Sequence, residues 1–84
     1  MLRITALRDG GAVTLVLEGK LAGPWVGELR THAEAALDDS SRLELHLAGV
    51  RFASSEGARL LKELLSRGAS MQVTSHIVEA LLER

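Results

Sequence analysis

The sequence predicts a single α/β domain: a four-stranded mixed sheet, helices mainly on one face, in the order β-β-α-β-α-β-α. Three observations carry this. Four short stretches alternate apolar with polar residues, the period of a half-buried strand. Three others repeat apolar residues at three- and four-residue spacing, the period of an amphipathic helix. The whole chain is 84 residues long, enough for one domain, residues 1–84, and no second.

The elements follow in order. Leu2, Ile4 and Ala6 alternate with Arg3 and Thr5 as a first strand. Asp9-Gly10-Gly11 is a turn signal, and Val13, Leu15 and Leu17 alternate with Thr14, Val16 and Glu18, so the two runs read as an antiparallel hairpin. Gly19 to Gly23 read as a loop. Pro24 suits the first turn of a helix, where its missing N–H is not needed, and Trp25, Val26, Leu29, Ala33, Ala36 and Leu37 keep helical spacing. Asp38-Asp39-Ser40-Ser41 end it.

A third strand is predicted from Leu43, Leu45 and Leu47 alternating with Arg42, Glu44 and His46. Ala48 to Ser55 read as a turn, and Glu56 to Arg67 as a second helix burying Leu60, Leu61, Leu64 and Leu65. Ser54 or Ser55 is available to cap it, Glu56 favours its first turn, and Gly68 suits the position after its end. Ala69, Met71 and Val73 give a fourth strand. Ser75 is expected to cap a last helix carrying Ile77, Leu81 and Leu82. Alternating strands, not continuous apolar runs, imply that one sheet face is covered and the other partly wet.

Composition narrows the function classes. The chain is 46% apolar but 2% aromatic, so the core is aliphatic. With no cysteine there is neither a disulfide framework nor a thiolate metal site, which fits a reducing, cytoplasmic setting. The formal charge is −1 with signs interspersed. Nucleic-acid binding lacks both the basic stripe and the stacking aromatics it needs. No apolar run is long enough for direct membrane insertion.

One segment carries a stronger signal. His46-Leu47-Ala48-Gly49-Val50-Arg51-Phe52, followed by Ser54-Ser55-Glu56-Gly57 and an apolar helix, resembles the signature region of STAS domains, the bacterial anti-sigma factor antagonists and their relatives. The family pattern there is Asp-Leu-Ser-Gly-Val-x-Phe, then Asp-Ser-Ser-Gly. Glu18-Gly19-Lys20-Leu21 is similar to the family's Glu-Gly-x-Leu stretch before its first helix, and the element order agrees along the whole length. The resemblance implies a non-catalytic regulatory protein-interaction domain. Its partner would be an anti-sigma factor that is also a serine kinase, in a partner-switching circuit that regulates transcription, with no cofactor.

The family's phosphoacceptor serine falls on Ser55, with Ser54 as a second candidate. Arg51, Phe52, Ser54, Ser55, Glu56, Gly57, Arg59 and Lys62 form the expected partner-binding segment, with Gly57 keeping the approach open. A phosphate at a helix N-terminus meets free backbone N–H groups and the positive end of the dipole. The sequence departs from the pattern twice: Ser54 replaces the family's Asp, and Glu56 its second serine. By residue type alone, Ser54 and Ser55 read first as plain helix caps. Two alternatives stay open on the same fold: an unphosphorylated accessory subunit of a transporter or lipid-transport complex, and a small-ligand sensor.

Enzymatic readings find less support. Ala53-x-Ser55-x-Gly57 is one residue short of a nucleophile elbow, but downstream of Ser55 stand only His76 and glutamates. His32, His46 and His76 have no metal-ligand spacing, and Gly10-Gly11 is a hairpin turn with no helix after it.

Overall fold

The computed structural model describes residues 1–39, 42–73 and 76–82. Strand β1 (Leu2–Asp9) and β2 (Ala12–Leu21) pair antiparallel in a hairpin that runs from Leu2↔Gly19 to Asp9↔Ala12. Gly10 closes it with a φ of 61°, a left-handed conformation that a residue without a Cβ adopts freely. Helix α1 (Pro24–Asp38), β3 (Arg42–Ala53), α2 (Ser55–Ser66), β4 (Ser70–Val73) and α3 (His76–Leu82) complete the expected order. The sheet order is β1-β2-β3-β4, with β3 parallel to both neighbours.

The alternation predicted from the sequence sets the layers. Val13, Leu15 and Leu17 on β2 and Leu43, Leu45 and Leu47 on β3 are buried, and α1 packs over both strands. Leu29, Ala33 and Ala36 of α1 and Leu60, Leu61 and Leu64 of α2 close the core from above, and Val78 of α3 joins them. Each fully buried leucine contributes roughly 2 kcal/mol of transfer free energy. Trp25, Val26 and Leu37 pack half-buried at its margin. On the opposite side of the same strands, Thr14, Val16, Glu44 and His46 are half-buried and Glu18 and Ala48 exposed, and among the described residues no helix covers them.

The boundaries differ from expectation in the middle of the chain. The stretch Ala48 to Ala53, read as turn, is strand, and so are Gly19 to Leu21, read as loop. The reason is two β-bulges. Between Val16↔His46 and Glu18↔Gly49, and again between Gly19↔Val50 and Lys20↔Phe52, β3 carries one more residue than β2. Each bulge resets the pleat. Leu47, Val50 and Ala53 therefore all point into the core at three-residue spacing, and period-2 reading fails there. On β1 only Leu2 is buried; Ala6 and Leu7 are exposed, because β1 is the edge strand of the sheet, whereas Val13 and Leu15 opposite it on β2 lie in the core.

Helix α2 starts at Ser55, one residue earlier than predicted, and ends in a Schellman motif. Gly68 N–H donates to the Leu65 carbonyl and Ala69 N–H to the Leu64 carbonyl, with Gly68 at φ 105°. Two ion-pair contacts fasten α2 to α1: Arg30 to Glu63 at 2.8 Å, and Arg67 to Glu34. The predicted cap Ser75 lies outside the described residues, as do the side chains of Val73, Ile77, Leu81 and Leu82.

Candidate functional site

The predicted segment leaves the sheet at the C-terminal end of β3, turns once, and enters α2. Ser54 N–H donates to the Leu21 carbonyl at 3.0 Å, so the turn is tied to the end of β2. The Ser54 hydroxyl accepts from the Gly57 N–H at 3.1 Å, which makes Ser54 the N-cap. Serine and aspartate are both preferred caps, so Ser54 serves here as an aspartate would.

Ser55 is therefore the first residue inside the helix and not its cap. Its side chain is exposed, and among the described residues its hydroxyl has no hydrogen-bond partner. Glu56 follows, exposed, in the first turn. Ser55, Arg59 and Lys62 are spaced four and three residues apart, which places them on one exposed stripe of α2. Phe52, 49% exposed, is the large apolar side chain beside the turn.

Gly57 does not keep an approach open. It is buried, and a Cβ there would come within 2.7 Å of the Leu21 carbonyl oxygen and 2.9 Å of Leu21 Cγ. Its role is to let the first turn of α2 press against the end of β2. Nor does Arg51 join the α2 stripe. The bulges turn it to the helix-free side of the sheet, where it lines a depression with Arg3 and Lys20.

Glu56 and Arg59 line a groove of about 310 Å³ between α1 and α2, with Gly23, Val26, Gly27, Arg30 and Leu60. A Cβ on Gly23 or Gly27 would meet nothing within 4 Å, so both glycines leave the α1 wall low. Deeper along the helices, the hydrogen bond from Arg30 holds the Glu63 carboxyl below the ordinary glutamate range, and the same bond raises the Arg30 guanidinium. Glu63 also lies 3.8 Å from Arg67.

The residues that would support hydrolysis are not gathered here. His32 Nδ1 donates to the Glu28 carbonyl within α1, His46 sits on β3, and His76 faces Glu79 at 3.9 Å at the start of α3. Among the described residues no group of three or more His, Asp or Glu is placed to hold a metal ion.

No protein-family model matches the sequence, and no curated protein does. Solved structures do share the architecture. The anti-sigma factor antagonist SpoIIAA in its unphosphorylated form aligns at a TM-score of 0.72 and 16% identity, over 96% of this chain and 78% of that one. The crystal structure of Mglu aligns at 0.66 and 23% identity over 82% of this chain, but over only 18% of its own length. The chain has the STAS fold, that of the anti-sigma factor antagonists, as the sequence signature implied.

Proposed function

We propose that the domain is a non-catalytic regulatory module. It docks a protein partner on the surface made by Ser55, Glu56, Arg59 and Lys62 at the start of α2, and phosphorylation of Ser55 controls the docking. The observation that carries this is the division of labour between the two serines. Ser54 is occupied as the cap, whereas Ser55 presents an unpartnered hydroxyl at the first helical position.

A phosphoryl group there adds nearly two negative charges, met by free N–H groups at the start of α2 and by Arg59 one turn on. The helix tolerates it, and the docking surface changes sign locally. Likeness to an anti-sigma factor antagonist supports an anti-sigma factor with serine-kinase activity as the partner.

The test is a photo-crosslinking residue at Arg59 in cells of the native host, with mass spectrometry of the product and of Ser55. The expected result is one crosslinked protein, lost in Ser55→Asp, together with detectable phospho-Ser55. A crosslink that survives Ser55→Asp, with no phosphate on Ser55, overturns the switch and leaves a fixed accessory subunit.

A further inference from the structure

The helix-free side of the sheet carries a depression of about 640 Å³, lined by Met1, Arg3, Glu18, Gly19, Lys20, Ala48, Gly49 and Arg51. Its volume is within the range of small-molecule sites. It draws one cation from each of three adjacent strands: Arg3 from β1, Lys20 from β2 and Arg51 from β3. Among the described residues, neither the Lys20 ammonium nor the Arg51 guanidinium has an ion-pair partner. Arg3 reaches Glu18 only at 4.0 Å. Three cations thus face one carboxylate.

This concentration is built by the backbone. The first bulge on β3 sends Val50 inward and Arg51 outward, where strict alternation from Leu47 would reverse both. Gly19, at φ 113°, carries the β2 backbone beside the Met1 carbonyl, which accepts from the Lys20 N–H at 2.9 Å. Gly49 lets Glu18 lie close, since a Cβ there would be 2.9 Å from Glu18 Cγ. Adjacent strands are spaced by about 4.8 Å, so the cations spread over roughly 10 Å across the sheet. That span suits an extended anion more than a single compact one.

We propose that this depression binds a small soluble molecule carrying two or three linked phosphoryl groups. Arg51 and Arg3 would supply forked donors and Lys20 a point charge. The site is separate from the α2 surface and does not depend on Ser55.

The test is calorimetric titration of the intact protein with inorganic tripolyphosphate, alongside amide-shift mapping by NMR. The expected shifts fall on Gly19, Lys20 and Ala48 to Arg51. Arg51→Gln and Lys20→Gln each weaken binding about tenfold, Glu18→Gln tightens it severalfold, and orthophosphate binds at least tenfold more weakly. Arg42→Gln, the same charge change at the opposite end of β3, leaves affinity unaltered. Absence of binding overturns the proposal. So does equal weakening by Arg42→Gln, which marks diffuse attraction, or equal affinity for orthophosphate.

Discussion

Gly57 lies so close to Leu21 that no Cβ fits between them: one would stand 2.7 Å from the Leu21 carbonyl oxygen and 2.9 Å from Leu21 Cγ. That oxygen accepts the Ser54 N–H and so anchors the turn that presents Ser55. Gly57→Ala gains helix propensity but forces the helix start off the sheet. Overpacking of this kind costs about 1–3 kcal/mol, more than the gain of under 1 kcal/mol from alanine. The expected result is a lower urea midpoint with unchanged slope. A variant as stable as the parent would show that α2 shifts freely at its N-terminus.

The two neighbouring serines separate by their hydrogen bonds. Ser54→Ala removes the cap of α2 and should cost about 1 kcal/mol. Ser55→Ala removes an exposed hydroxyl and should stay within about 0.5 kcal/mol of the parent. Thermal melts of the pair decide it. Equal losses would mean that both serines cap the helix and that Ser55 is not held in reserve.

Leu17 and Val16 are adjacent on β2 but face opposite sides of the sheet. Leu17 is fully buried under α1, whereas Val16 is half-buried on the side without helices. Leu17→Ala should cost about 2–5 kcal/mol, enough to unfold much of a domain this small. Val16→Ala should cost under about 1 kcal/mol. Comparable losses at the two positions would require a second covered face.

The layers were legible because period-2 alternation on Val13 to Leu17 and Leu43 to Leu47 maps straight onto burial. It stopped being legible at Ala48, where two bulges replace that period with the three-residue spacing of Leu47, Val50 and Ala53. A bulge has no residue signature of its own beyond the glycines nearby, and Gly19 and Gly49 were the available signal. For the same reason the sequence places Arg51 near Ser55, whereas the strands bring it beside Arg3 and Lys20. Ser55 itself was legible as a helix start, but which serine caps depends on hydroxyl geometry that the sequence leaves open. The role of Gly57 is not legible in the sequence, because its close approach to Leu21 is a tertiary fact.

The Arg30–Glu63 contact predicts a pH dependence with a definite sign. The Glu63 carboxyl is held below the ordinary glutamate range, chiefly by the hydrogen bond from Arg30. A depressed carboxyl favours the folded state above its unfolded value, and that contribution is lost as pH falls through the folded value. Arg30 is shifted upward by the same contact and stays charged across this range, so the pH dependence of the pair follows the Glu63 carboxyl. Glu63→Gln keeps an acceptor for Arg30 but removes the charge. The parent should therefore exceed Glu63→Gln in stability at pH 7, with the gap narrowing below the ordinary glutamate range and closing once the parent carboxyl is protonated. Both groups are solvent-exposed, so 1 M salt should narrow the gap at pH 7 as well. Denaturation midpoints of the two proteins across pH 2–7 give the measurement. A gap that persists unchanged at the acid end would show that the carboxylate charge is not what joins α1 to α2.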